Sequence, residues 1–147
     1  MRKVQRSALV QHSAAQMFSL VDDIESYPQF LPWCKSSEVH LRQDNVVEAT
    51  LELQRGELSK KFRTRNTATD CAAIEMALVD GPFQHLAGCW AFTQLGESGS
   101  KVQLDLEFEF SNSVVDLVLG GFFEETCNSL VDAFTQRADG VFAEDRS

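Results

Sequence analysis

Three histidines (His12, His40, His85) and four cysteines (Cys34, Cys71, Cys89, Cys127) are the side chains that could supply a base, a nucleophile or a metal ligand. Their spacing assembles none of these. No two cysteines form a Cys-x-x-Cys pair, and no histidine stands at ligand spacing from a cysteine. Gly-x-Ser-x-Gly, His-Glu-x-x-His, a Walker loop and Gly-x-Gly-x-x-Gly are all absent. His12 precedes the first predicted helix, His40 falls on the polar phase of a strand, and His85 follows a Gly-Pro-Phe turn. Each reads as an exposed or loop histidine. The carboxylates fall mostly on polar strand phases, whereas a general acid–base pair needs a carboxylate among apolar neighbours. No catalytic residue and no metal ligand is assigned, and an enzyme is not expected.

Three other features carry information. The first is an apolar face of large side chains: Phe62, Met76, Leu78, Trp90, Phe92 and Phe108 on strands, with Phe123, Cys127 and Phe134 on a helix. Around an unfilled gap, such a set makes a site for an apolar ligand; filled, it is an ordinary core. The second is the run Val114 to Phe123, apolar nearly all round and interrupted by Gly120 and Gly121. A helix packed on one side needs only a stripe. The surplus must meet the rest of the fold, a ligand, a membrane or a second subunit. The glycines weaken the helix by about 1 kcal/mol each and are assigned as a cavity gate; the alternative is close packing against Trp33 or the Gly81-Pro82-Phe83 turn. The third is a basic stripe, Lys61, Arg63 and Arg65, on one phase of a strand. It could meet RNA phosphate or anionic lipid, or pair across strands with Glu48, Glu52 or Glu75.

The elements that must position these residues are legible from periodicity. A strand is predicted up to Val10, and Ser13-Ala14-Ala15-Gln16 is a capping box that starts a helix with Met17, Phe18, Leu20, Val21 and Ile24 on its apolar face. A second helical turn is expected around Tyr27 to Leu31, ended by Pro32. The period then changes to two. Val39 and Leu41 mark one strand, Val47 to Leu53 the next, and residues 58–69 a third. Ile74 to Leu78, Leu86 to Phe92 and Val102 to Phe110 follow, separated by turns. Ser111-Asn112-Ser113 offers caps for a last helix to Ala138, with Leu117, Phe123, Cys127, Leu130, Val131 and Phe134 as its stripe. Such a helix spans roughly 35 Å and can cross the whole sheet. The reading is α+β: a curved antiparallel sheet of about seven strands, two short helices, and one long C-terminal helix that encloses a cavity. One domain is expected over residues 1–142, with a tail at 143–147.

The 147 residues carry a net charge of −9, which opposes generic nucleic-acid binding. No secretory signal pattern opens the sequence and no apolar run approaches spanning length. A cytoplasmic protein with reduced, mostly buried thiols is expected.

Several segments together resemble a known family: Arg6-Ser7-Ala8-Leu9-Val10, Ser26-Tyr27-Pro28-Gln29-Phe30-Leu31-Pro32, Thr64-Arg65-Asn66, Val79-Asp80-Gly81-Pro82-Phe83, Trp90-Ala91-Phe92, Phe108-Glu109-Phe110 and Ala133-Phe134-Thr135-Gln136-Arg137-Ala138. The chain is similar, from about Val4 to Phe142, to the bacterial ribosome-association toxin family. That family is related to mitochondrial coenzyme-Q-binding START-domain proteins and the polyketide cyclase/dehydrase, or oligoketide cyclase, group. The resemblance implies the helix-grip (START/Bet v 1-like) fold. It also implies two functions. In one, the cavity holds an isoprenoid quinone such as ubiquinone, or another lipid, and supports respiration without catalysis. In the other, the protein binds the large ribosomal subunit, blocks subunit joining, and has an antitoxin partner. The hydrophobic carrier is the first expectation, with transient contact at the inner membrane and no required cofactor. Ribosome binding through Lys61, Arg63 and Arg65 is the second, and a cyclase-like enzyme the third.

Overall fold

The computed structural model describes residues 1–142, so the expected tail at 143–147 lies outside the described residues. In chain order the elements are β1 (Arg2–Val10), α1 (Ala14–Asp22), a 3₁₀ helix (Ile24–Gln29), β2 (Cys34–Gln43), β3 (Val46–Arg55), β4 (Leu58–Thr69), β5 (Ala73–Asp80), β6 (Phe83–Leu95) and β7 (Gly99–Phe110). The C-terminal helix has three continuous parts: a single turn α2 (Ser113–Val115), a π-helical turn (Asp116–Gly120) and α3 (Gly121–Val141).

The strands form one sheet in the order β1-β7-β6-β5-β4-β3-β2, and every pair is antiparallel. β2 to β7 are a meander, and β1 returns to pair with β7. Alternation decides which face is inside. Val102, Leu104, Leu106, Phe108 and Phe110 of β7 are all buried, while the residues between them lie half-buried or exposed on the other face. α3 lies over the apolar face and packs on β1, β7 and α1. Its 21 residues span about 31 Å at 1.5 Å per residue.

The predicted caps are present. Gln16 N–H donates to Ser13 Oγ at 3.1 Å, and Ser13 N–H donates to Gln16 Oε1 at 2.9 Å. Val114 N–H donates to Asn112 Oδ1 at 2.7 Å and starts the C-terminal helix.

Irregularities in pairing bend the sheet. One lies between Arg63 and Thr64 on β4, opposite Leu78 and Asp80. The next turn carries Gly81 at φ +147, where a Cβ would stand 2.6 Å from Phe62 Cβ. Only glycine lets that turn sit against β4.

Four local expectations are corrected. Ile24 opens the 3₁₀ helix instead of continuing α1, so that helix starts three residues before the turn expected around Tyr27 to Leu31. Leu41 is 38% exposed, because a register shift between Val39 and Leu41 on the edge strand breaks the alternation. Leu117 is 84% exposed while Leu119 is buried; the π turn shifts the helical phase by one residue and turns Leu117 out. His12 sits in a loop but is only 1% exposed, with Nε2 2.7 Å from Asp139 Oδ1 on α3.

Candidate functional site: the cavity under the C-terminal helix

A largely apolar cavity of about 80 Å³ lies between α3 and the sheet. α3 contributes Phe123, Cys127, Leu130 and Phe134 to its wall. The strands contribute Ala49, Leu51, Phe62, Met76, Leu86, Trp90, Leu104 and Leu106, and the segment before β2 contributes Ile24, Tyr27 and Trp33. Alternation along β4 adds two polar side chains, Thr64 and Asn66, on the same phase as Phe62.

Edge-to-face aromatic packing holds the wall rigid. Phe134 meets Trp90 at 5.3 Å, Tyr27 at 5.5 Å and Phe30 at 5.3 Å between ring centroids. At the other end Phe123 meets Phe108 at 4.8 Å and Phe62 at 5.9 Å. Such contacts are worth about 0.5–1.5 kcal/mol each beyond area.

Of the nine residues expected to line a cavity, Phe62, Met76, Trp90, Phe123, Cys127 and Phe134 do so. Leu78, Phe92 and Phe108 do not. Phe92 lies parallel to Trp90 with centroids 6.2 Å apart and meets Phe18 of α1 edge-on, so it fills the core under α1. Phe108 is fully enclosed by Phe83, Phe110 and Phe123. Leu78 lies beside the β4 irregularity and packs against the core away from the cavity. Periodicity identifies the inward phase but not where along a strand the packing leaves space. Thr64 and Asn66 could have been found as polar residues on an apolar phase. Tyr27 and Trp33 have no periodic signal, since they lie in a 3₁₀ helix and a turn.

The cavity is chemically quiet. Its titratable side chains are Tyr27 and Cys127, and burial pushes both pKa values well up, so both are neutral near pH 7. Tyr27 OH donates to the Val21 carbonyl. Cys34, behind Trp33, is raised to about 11, chiefly by burial. Thr64 Oγ1 donates to Asn66 Oδ1 at 3.1 Å. Trp33 Nε1 is buried without a hydrogen-bond partner. The arrangement suits holding an apolar molecule and places no general base beside it. Among the described residues no group of His, Cys, Asp or Glu could hold a metal ion. His40 and His85 lie elsewhere, bonded to Thr50 Oγ1 at 2.7 Å and Glu107 Oε1 at 3.0 Å. Two of the thiols, Cys71 and Cys89, are only half-buried, and all four cysteines are unbridged.

The gate glycines differ from each other. At Gly120 a Cβ would stand 2.6 Å from Asp116 Oδ1 and 2.7 Å from Arg2 Nε and Nη2. The close approach is therefore to the ion pair between Arg2 of β1 and Asp116 of the π turn, not to Trp33 or the Gly81 turn. Arg2 Nε and Nη2 reach the two Asp116 oxygens at 3.2 Å each. At Gly121 a Cβ would meet nothing within 4 Å.

The basic stripe is largely paired. Glu48 is only 7% exposed, and its two oxygens accept from Arg63 Nη2 at 2.9 Å and Arg65 Nη2 at 2.8 Å. The hydrogen bond from Arg65 leads in holding the Glu48 carboxyl below its usual pKa. Lys61 stands opposite Glu52 in the register.

Residues 10–135 match the model of the family described as polyketide cyclase / dehydrase and lipid transport. The chain is 46% identical over 144 residues to the ribosome association toxin RatA of Vibrio cholerae, covering 98% of this chain and 100% of that one. It is 43% identical over 139 residues to the RatA of Pseudomonas aeruginosa, covering 95% and 96%. It is 27% identical over 141 residues to the mitochondrial coenzyme Q-binding protein COQ10 homolog B of Xenopus laevis, covering 92% of this chain and 57% of that one. Among solved structures, a START superfamily protein from Mycobacterium smegmatis superposes with TM-score 0.78 at 24% identity, over 95% of this chain and 98% of that one. The Zhui aromatase/cyclase of a Streptomyces species gives TM-score 0.78 at 14% identity, over 94% and 93%. Both share the fold. With its helix-grip architecture and near full-length identity to those relatives, the chain belongs to the polyketide cyclase / dehydrase and lipid transport family and, within it, to the ribosome association toxin RatA group.

Proposed function

We propose that the chain associates with the ribosome. The observation that carries this reading is identity of 41–46% over nearly the whole chain with relatives named for that association. Sequence patterning by itself favours the lipid carrier. The coenzyme Q-binding relative is more distant, at 27%, and the ribosomal reading now leads. Glu48 occupies two of the three expected cations, and the net charge is −9. Contact with a basic ribosomal protein therefore suits this surface better than contact with bare RNA phosphate. Sedimentation with isolated ribosomal subunits tests the proposal. Protein that travels with the large subunit supports it, and protein that stays at the top of the gradient removes it.

A second reading rests on a separate observation, the apolar cavity. It holds a small hydrophobic molecule, and the coenzyme Q-binding relative supports that use. At about 80 Å³ the closed cavity is smaller than the roughly 150 Å³ void that accepts benzene. An isoprenoid quinone needs the wall to open. Native mass spectrometry of protein isolated from its own cells tests this reading: a retained lipid or quinone is expected, and empty protein from quinone-replete cells contradicts it.

A further inference from the structure

The cavity wall is apolar except at a few points. Trp33 is only 8% exposed, and its Nε1–H is one of two buried side-chain nitrogens without a partner among the described residues. The other, Arg63 Nε, lies on a side chain that does not line the cavity. An unmet buried N–H is costly, and proteins rarely keep one without a use. A second donor group lines the same cavity. The Asn66 carbonyl is taken by the Thr64 hydroxyl, so what Asn66 offers a guest is its two N–H groups.

Trp33 also lines a surface groove, with Gln54, Arg55, Phe122 and Thr126. That groove measures about 390 Å³. No other residue lines both spaces. The indole is thus the partition between the enclosed cavity and the groove. A guest too large for the cavity alone reaches the groove only when the Trp33 side chain turns aside.

We propose that the cavity selects apolar molecules that carry a carbonyl-type hydrogen-bond acceptor, and that Trp33 Nε1–H is the donor that binds it. This rests on the cavity reading above. The acceptor satisfies a donor that is already desolvated, so the bond forms without a fresh desolvation cost on the protein side. A hydrocarbon of the same shape fills the space and leaves the N–H unmet.

The test uses two probes of nearly equal shape, acetophenone and α-methylstyrene, which differ by oxygen in place of a methylene. Affinities are compared after correction for water–octanol partition. The expected result is a preference for acetophenone of roughly tenfold, the scale of one buried hydrogen bond. In Trp33→Phe, which keeps an aromatic ring and removes the donor, the preference falls to near unity. Because that variant could misfold, the indole N–H signals of the parent protein are followed by NMR as well. The chain has two tryptophans, Trp33 and Trp90. The Trp33 signal is expected to move downfield with acetophenone and not with α-methylstyrene. If both probes bind and neither the preference nor the indole signal distinguishes them, the acceptor proposal falls while the cavity reading stands. If neither probe binds, the cavity reading falls and takes the proposal with it.

Discussion

Glu48 lies on the strand phase that Glu52 shares, yet it is buried while Val46, Thr50 and Glu52 on that phase are only half-buried. Its two guanidinium partners make that burial tolerable, since a carboxylate out of water needs charged donors. The consequence is a pH dependence with a definite sign. The folded-state pKa of Glu48 lies below the usual 4.5, chiefly through the Arg65 hydrogen bond. Its contribution to stability is therefore complete above the unfolded pKa and is lost as pH falls through the folded one. Glu48→Gln should lower the melting temperature at pH 7, and the gap from the parent should shrink steadily below about pH 4. A gap that stays constant down to pH 3 would contradict this assignment. The pairing was legible as one of three carboxylate candidates, because strand register decides which charges meet. His12 was not legible. Its partner Asp139 is 127 positions away, and only the docking of α3 brings them together.

The C-terminal helix shows what periodicity reads well and what it misses. The stripe of α3 follows the 3.6-residue repeat, and Phe123, Cys127, Val131 and Phe134 are all buried as that repeat requires. The π turn carries no compositional mark, so the phase before Gly121 could not be extended from it. The two glycines at that junction separate two effects. Gly121 has helical dihedrals, φ −65 and ψ −39, and open space at its Cβ position. Gly121→Ala should stabilise the fold by about 1 kcal/mol through helix propensity. Gly120→Ala must push the Arg2 guanidinium off Asp116 and should gain less or lose stability. Thermal unfolding of the two variants checks the order, and equal gains would show that the Arg2 contact is soft. If the helix start is also the cavity gate, the double variant should slow ligand entry. Unchanged on-rates would leave the partition at Trp33 as the entry.

The antiparallel run of β2 to β7 and the long helix were legible at the scale of the whole molecule, because alternation over six successive strands leaves few antiparallel arrangements; the return of β1 to pair with β7 was not. The cavity was legible only as an inward face. Its extent depends on three-dimensional packing, which placed Phe92 and Phe108 in filled core and brought Tyr27 and Trp33 to the wall. The interior and the surface then support different activities. The interior offers a quiet apolar site with one unmet N–H donor, Trp33 Nε1. The exterior is acidic, exposes Val114, Leu117 and Val118 at the start of the C-terminal helix, and holds Arg63 and Arg65 of its basic stripe in ion pairs with Glu48. The two proposals rest on different parts of the molecule, so each is tested alone. The ribosomal proposal has its most direct test in a sucrose gradient of purified protein with isolated small and large ribosomal subunits at about 0.15 M salt, where interactions beyond roughly 8 Å are screened. The account predicts that the protein travels with the large subunit and still does so after Lys61→Glu, which reverses the one stripe cation outside the Glu48 pair and leaves that pair intact. Protein that remains at the top of the gradient with both subunits present would contradict it.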